Sequence, residues 1–225
     1  MADTCVSRVP VFAGLSAHDQ RRVAELARPT HLKARESAYS AEDHLSPLMV
    51  LHTGRVKIFR LSADGSEQII RVLGPGEFTG ETSVFTGRRP DDYATALDDS
   101  QLCVFHHDDL KTLIRQYPEI GLRMLAAMSE RLTDTEHRLT SLTSRDVESR
   151  LADYLLGLPS TWRDHIATVS LPLTKKDVAS LLDTSPESLS RALSSLARQG
   201  LIVIGAGRSV SITQPVLLQR LVDEV

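Results

Sequence analysis

The stretch TKKDVASLLDTSPESLSRALSSLARQGLIVIGAGRSVSI, residues 174–212, decides the fold of this chain. Its first helical pattern opens at Thr174, with Asp177 following in a capping-box-like arrangement. Asp183–Ser185 reads as a turn, in which Ser185 can cap a second helix and Pro186 suits its first position. We therefore expect two short helices joined by a tight turn.

Two short apolar strands follow the second helix. That helix ends near Gly200, and the segments LIVI and SVSI are joined by the turn Gly205–Arg208. The pattern predicts a β-wing. Two helices and a wing form a winged helix-turn-helix, whose second helix enters the major groove of DNA with its N-terminal residues facing base edges.

The second helix carries a narrow polar stripe. Around the helix axis, at about 3.6 residues per turn, the other stripe residues lie close to Glu187. Relative to Glu187, their angles are about −60° for Ser190, about 40° for Arg191, about −20° for Ser194 and about 20° for Arg198. The opposite side, at about 140° to 240°, is apolar and holds Leu189, Ala192, Leu193 and Leu196. A solvated face is the alternative interpretation, but the motif predicts a polar stripe at this place.

The residue types in the stripe suit DNA recognition. A Glu side chain accepts from cytosine N4, an Arg donates two bonds to guanine, and a Ser bonds a base or a phosphate. We therefore expect Glu187, Ser190 and Arg191 to contact bases. Candidate contacts to the DNA backbone are Lys175, Lys176, Ser194, Arg198 and Arg208.

The first half of the chain has a β texture. Residues 46–106 contain the segments LMVLHTGRVKIFRL, EQIIRVL and ATALDDSQLCVF, separated by glycine-rich turns. Many short strands of this kind predict a small β-barrel or β-roll. Residues 16–27 and 107–117 have helical patterns at its two ends.

A long helical pattern runs from 118 to about 144 and carries a heptad seam. The apolar seam positions are Leu125, Met128, Leu132, Leu139 and Leu142, with the polar Thr135 among them. The rest of the helix is polar, with Arg131, Asp134, Glu136 and Arg138. This distribution favours a dimer seam over a helix packed on its own domain.

The totals fit a soluble globular protein of 225 residues, with 41% hydrophobic and 24% charged residues. No long apolar run or secretory signal is visible, so we expect no membrane association and a cytoplasmic location. The net charge of −3 does not suggest nucleic acid, but it is a poor test when only a small patch makes contact. No phosphate loop, nucleophile elbow or metal motif is visible, so we expect no enzyme activity.

The predicted fold class is α+β: a cyclic-nucleotide-binding-like β-roll at 1–114, a long dimerisation helix at 115–145 and a winged helix-turn-helix at 146–225. This order of parts resembles the CRP/FNR family of bacterial transcription regulators over nearly the whole chain. The most specific match is E-x-x-S-R, here Glu187, Ser190 and Arg191.

The E-x-x-S-R match is similar to the FNR branch. It implies a homodimer on a palindrome of TTGAT half-sites, with Arg191 on guanine, Glu187 on the complementary strand and Ser190 on a thymine. Pro186 stands where CRP-type readers carry an Arg, so CRP-type readout is not expected. The family also implies contact with RNA polymerase.

The resemblance to cyclic-nucleotide-binding members is incomplete. Gly80 and Glu81 match their G-E segment, but Asp91–Asp92 stands where an Arg-Ser pair is expected. Two carboxylates repel a phosphate, although a shifted loop would bring in Arg88 or Arg89. The alternative role for Glu81 is a structural carboxylate in the turn.

The chain has two cysteines, Cys5 and Cys103. That number excludes the iron–sulfur cluster of FNR, which needs four cysteines. The positions resemble the FNR-like proteins called FLP, whose N-terminal and β-roll cysteines form a reversible disulfide, so our hypothesis is a redox switch. Two unrelated thiols are the alternative, and haem or a nucleotide remain alternative effectors, although none of the eight histidines has a spacing that indicates an axial ligand. No metal site is predicted.

Overall fold

A computed structural model describes residues 9, 12, 15–144 and 146–223, and for residues 141–144 it describes the backbone alone. The chain divides into two compact units between Arg131 and Leu132. We refer to residues 1–131 as unit 1 and to residues 132–225 as unit 2.

The described part of unit 1 is a β-roll flanked by helices. Its elements are α1 (Ala17–Leu26), β1 (Arg28–Leu32), β2 (Ser37–Tyr39), β3 (Leu48–Thr53), β4 (Val56–Leu61), β5 (Glu67–Leu73), β6 (Phe78–Thr79), α2 (Glu81–Thr86), β7 (Tyr93–Ala96), β8 (Ser100–Phe105) and α3 (His107–Gln116). The strands form two antiparallel sheets, in the spatial orders β1-β8-β3-β6 and β2-β7-β4-β5.

Strand β3 explains how the roll is packed, because its first four residues are all buried. Leu48 and Val50 join the core that contains the helical residues Leu110 and Leu113. Met49 and Leu51 join the second core, which the strands of both sheets form. Since successive strand side chains point to opposite faces, one strand supplies both cores.

The long helix α4 (Pro118–Ser144) crosses the division between the units. Its first turns are buried in the helical core of unit 1 through Ile120 and Met124. Beyond these residues the heptad positions Leu125, Leu132 and Leu139 are 61%, 60% and 63% exposed, and Met128 is 37% exposed. The side chain of Leu142 lies outside the described residues.

Unit 2 contains the winged helix-turn-helix. Its remaining described elements are α5 (Val147–Leu156), β9 (Ser160–Arg163), β10 (Ile166–Ser170), α6 (Lys175–Leu181), α7 (Pro186–Arg198), β11 (Ile202–Ile204), β12 (Ser209–Ile212) and α8 (Pro215–Asp223). The strands form one sheet in the order β11-β12-β10-β9. Among the described residues, no helix has both the length and the apolar character needed to cross a membrane.

The predicted helix starts are confirmed in three places. Ser16, Thr174 and Ser185 accept hydrogen bonds from backbone N–H groups three residues later, at 3.1, 3.2 and 3.1 Å. The sequence interpretation missed β1, β2, β6, α2 and α8. It also left residues 158–173 as a loop or short strands, whereas β9 and β10 form a hairpin that widens the wing sheet.

Candidate nucleic-acid interface

Helix α7 is held in unit 2 by the apolar side predicted from its periodicity. Leu189, Ala192, Leu193 and Leu196 are all buried. Pro186 occupies the start of the helix, and the Ser185 side chain accepts from the Ser188 backbone N–H. The buried side fixes which side chains of α7 face outward.

The outward side of α7 is the polar stripe. Glu187, Ser190, Arg191, Ser194 and Arg198 are all exposed. The stripe combines two cationic guanidinium groups with one carboxylate and two hydroxyls. Such a surface presents both donors and acceptors to the edges of base pairs.

A short hydrogen-bond chain orders Arg191 on this surface. The Arg191 guanidinium donates to Ser188 Oγ at 3.0 Å, and Ser185 Oγ donates to the same atom at 3.1 Å. The sequence interpretation missed Ser188, although its separation of three residues from Arg191 on a helix was a usable signal. Ser188 therefore restricts the rotamers that Arg191 adopts before it meets a ligand.

An open groove of about 570 Å³ runs along α7 beside the start of α5. Four stripe residues line it: Ser190, Arg191, Ser194 and Arg198. The opposite wall contains Asp146 and Glu148 at the N-terminus of α5. Glu187 lies on the same outward side of α7 but outside the groove lining.

The other cationic candidates in unit 2 are also exposed. Lys175 and Lys176 open α6, and Arg208 lies in the turn between β11 and β12. The backbone carbonyl of Arg208 accepts from the Leu171 N–H at 2.8 Å, which ties the wing turn to the segment before α6. All three are placed at the surface, although none of them lines the groove.

In unit 1, the turn at Gly80 and Glu81, which match the G-E segment of nucleotide-binding members, is the predicted effector turn. It requires a glycine for a structural reason. Gly80 has a φ of 87°, and a Cβ there would lie 2.0 Å from the Pro47 carbonyl oxygen. Any side chain at this position would clash with the backbone. The glycine is therefore required by the fold, whatever the turn binds.

Glu81, which starts α2, is already engaged by two arginines. Its Oε1 accepts from Arg71 at 3.3 Å and from Arg131 of α4. Both arginines also donate to the Phe78 carbonyl, at 3.3 and 3.1 Å. Glu81 Oε2 is buried and has no hydrogen-bond partner among the described residues. The Glu81 carboxylate therefore joins the start of α2 to β5 and α4.

Arg131 and Arg138, two of the polar residues outside the heptad seam of α4, are both bonded to other parts of the protein. Arg131 is half-buried and also lies 5.0 Å from the centroid of the Phe78 ring. Arg138 donates to the Leu181 carbonyl in unit 2. Long basic side chains can cover apolar surface while their charged ends bond elsewhere, which helical periodicity alone does not reveal.

The two aspartates that follow the effector turn differ in their surroundings. Asp91 pairs with Arg60 at the surface. Asp92 is half-buried beside Tyr39, and burial raises its pKa above the ordinary value, with the Asp91 charge adding to the effect. Arg88 and Arg89 are exposed. An incoming phosphate would therefore meet carboxylates at 91 and 92.

Both halves of the chain match family models. Residues 29–117 match the cyclic nucleotide-binding domain, and residues 149–221 match the Crp-like helix-turn-helix domain. The probable transcriptional regulator flp of Lacticaseibacillus casei is 30% identical over 204 residues, which cover 90% of this chain and 91% of that protein. The chain belongs to the CRP/FNR family of transcription regulators.

Other members of the CRP/FNR family match over the same length. The CRP-like cAMP-activated global transcriptional regulator of Mycobacterium tuberculosis is 27% identical over 97% of this chain and 98% of its own. The solved structure of FixK2 from Bradyrhizobium japonicum superimposes with a TM-score of 0.75 over 87% of this chain and 96% of its own. Its identity of 22% shows the fold alone.

In this CRP/FNR regulator, Cys103 lies in the helical core of unit 1. It is 1% exposed and pairs in register with Val50 of β3. The structure records Cys103 as disulfide-bonded, whereas Cys5 lies outside the described residues. Val9 and Phe12 are buried in the same core, and the Phe12 ring packs against Phe105. Among the described residues, no cluster of His, Cys, Asp and Glu could hold a metal ion.

Proposed function

We propose that this regulator acts as a homodimer that reads a palindrome of TTGAT-like half-sites through the outward stripe of α7. The observation that carries the proposal is the Glu187–Ser190–Arg191 set, exposed on a helix whose other side is buried. These are the residue types and positions of the E-x-x-S-R match. Membership of the family indicates that the ligand is double-stranded DNA. The side chains of the stripe are the groups that would read its bases.

Each stripe residue has a role in the proposed half-site. Arg191, held by Ser188, donates to O6 and N7 of the guanine. Glu187 accepts from a base of the complementary strand, and Ser190 contacts a thymine. Ser194 and Arg198 bond to phosphates, as do Lys175, Lys176 and Arg208, and so set the register of the protein on the duplex.

The homodimer is supported by α4. Its exposed heptad leucines form an apolar row, which a second copy can cover by knobs-into-holes packing. A two-fold axis between two α4 helices would present two α7 helices to half-sites about one helical turn apart. A palindromic target follows from that symmetry.

The Arg191→Ala variant tests base readout. On a duplex with two TTGAT half-sites, the variant should lose about 1–3 kcal/mol of discrimination between guanine and a substituted base at the contacted position. Fluorescence anisotropy at one stated salt concentration measures this, because affinity for DNA depends strongly on salt. Arg115→Ala, which removes the same charge from an exposed position of α3, should keep the parent's discrimination.

An Arg191→Ala variant that still discriminates as the parent does would contradict the assignment of Arg191 to guanine. Circular dichroism and the oligomeric state of the variant should match those of the parent, because Arg191 is exposed.

We also propose that Cys5 and Cys103 form the redox input. Support comes from the burial of Cys103 and from Val9 and Phe12, two residues before α1 that lie in the same core. A reversible disulfide would hold the segment before Val9 on the roll, and its reduction would release that constraint. The roll contacts α4 through Glu81 and Arg131, which gives the change a route to the long helix.

The redox proposal is tested with the Cys5→Ser variant, which leaves the buried Cys103 in place. Mild oxidation should produce a Cys5–Cys103 cross-linked peptide in the parent, detectable by mass spectrometry, and should change its affinity for the palindrome. The variant should respond to oxidation in neither measurement. A parent whose affinity is the same in both redox states would contradict the proposal.

A further inference from the structure

Arg138 links α4 to the turn of the helix-turn-helix within unit 2. Its guanidinium is half-buried and donates to the backbone carbonyl of Leu181, the last residue of α6. Burial lowers the pKa of Arg138, and the nearby Asp183 charge opposes that effect. A cation at the carbonyl end of a helix is favourable because the last carbonyls carry the negative end of the helix dipole.

The turn uses its own N–H groups for the preceding carbonyls. The N–H groups of Leu182, Asp183 and Thr184 donate to carbonyls within α6, at 2.9, 3.1 and 2.9 Å. The Leu181 carbonyl is the next one along the chain, and Arg138 donates to it from outside the turn. The terminal carbonyls of a helix need such external donors.

The turn that receives this bond is under conformational constraint. Asp183 has a φ of 50°, a left-handed conformation that non-glycine residues rarely adopt. Ser185 caps α7 directly afterwards, and Ser185 also bonds to the Ser188 hydroxyl that holds Arg191. Because only a few residues separate Leu181 from Ser185, a displacement of the Leu181 carbonyl would also displace the start of α7.

We propose that Arg138 is a positioning residue for DNA recognition: by bonding the Leu181 carbonyl, it sets the turn and hence the orientation of the α7 stripe in the major groove. Arg138 acts through the turn and need not contact the DNA itself. The inference rests on the proposed function, because it assigns the orientation of the helix that reads the bases.

The contact predicts a loss of specificity rather than a general loss of DNA binding. Non-specific binding depends on phosphate contacts and tolerates small rotations of α7, whereas base contacts do not. Without the Arg138 bond, the preference for the palindrome over a scrambled duplex should fall by about tenfold, the scale of one charged hydrogen bond. Affinity for the scrambled duplex should change little.

The experiment compares Arg138→Ala, Arg138→Lys and the parent on the palindrome and on a scrambled duplex at one salt concentration. The Lys variant keeps a cationic donor and should recover part of the lost preference. Arg123→Ala removes an exposed charge from the same helix and should keep the parent's preference. Circular dichroism at the assay temperature selects conditions in which every variant is folded.

Hydrogen exchange of the DNA-free proteins tests the contact separately from DNA recognition. The amides of Asp183 and Thr184 should exchange faster in Arg138→Ala, with partial recovery in Arg138→Lys. If Arg138→Ala does not fold, Arg138→Lys is compared with the parent alone. Its Asp183 and Thr184 amides should exchange faster than those of the parent, and its preference for the palindrome should be weaker.

Two results would overturn the positioning role: unchanged exchange of the turn amides, or equal losses on the palindrome and the scrambled duplex. A parent without preference for the palindrome would instead overturn the proposed DNA site, and the exchange result would still decide whether Arg138 orders the turn.

Discussion

At the scale of single residues, the proposed DNA readout depends on how well Arg191 is ordered before binding. Its side chain is exposed, and an exposed Arg without partners would have to lose rotamer freedom when it meets a base. The Ser188 hydroxyl removes part of that freedom in advance, because it accepts from the guanidinium at 3.0 Å. Ser188 should therefore matter for affinity.

Replacing Ser188 by Ala should weaken binding to the palindrome by about 0.5–1.5 kcal/mol, the range of a typical hydrogen bond. Ser188→Thr, which keeps the hydroxyl, should bind as the parent does. In an Arg191→Ala background, Ser188→Ala should have no further effect, and anisotropy titrations of the four proteins give that double-mutant cycle. Additive losses in the cycle would show that Ser188 acts independently of Arg191.

Asp92 is a second residue with a measurable consequence, this time for stability. Its pKa is raised mainly by burial, so the folded state holds the proton more tightly than the unfolded state, whose carboxyl has a pKa near 3.8. The stabilisation from the protonated form is complete below that value. It is lost as the pH rises through the folded pKa, above which the half-buried carboxyl is charged.

At pH values above the folded pKa, Asp92→Asn should therefore raise the Tm, and it should remove the fall in stability above the unfolded pKa. Thermal unfolding of both proteins from acid to neutral pH measures the difference curve. Asp134→Asn, at an exposed position of α4, serves as the control. The same pH dependence in Asp92→Asn and the parent would contradict the assignment.

At the scale of elements, the long helix α4 makes contacts with several other elements. Its first turns are buried in the β-roll, Arg131 bonds to Glu81, and Arg138 bonds to the end of α6. The exposed leucines of the heptad are the proposed contact with a second copy of the chain. A change in the roll that displaces the first turns of α4 would therefore be felt at Arg131.

A charge in the heptad row should prevent dimerisation. Leu132→Glu would bury a carboxylate among the leucines of the proposed seam, and burying a charge in apolar surroundings is costly. Sedimentation should show a shift from dimer to monomer, and affinity for the palindrome should fall with it. Ala126→Glu, at an exposed position of α4 outside the seam, is the control. A Leu132→Glu variant that remains dimeric would place the dimer contact elsewhere.

At the scale of the whole molecule, the architecture was predictable from sequence because its signals are local. Caps such as Thr174 with Asp177 join residues three positions apart, and the periodicity of α7 separates its buried and exposed sides. The contacts of Arg131 and Arg138 were not predictable, because they join residues 50 and 43 positions apart. Only the fold brings such pairs together, and a polar helix face gives no sign of them.

The most direct test of the central claim is an anisotropy titration of the parent protein, thiol-reduced and mildly oxidised, on a duplex with two TTGAT half-sites and on a scrambled duplex at one salt concentration. We predict tighter binding to the palindrome, by a factor that differs between the two redox states. Equal affinity for both duplexes in both redox states would contradict sequence-specific reading by α7.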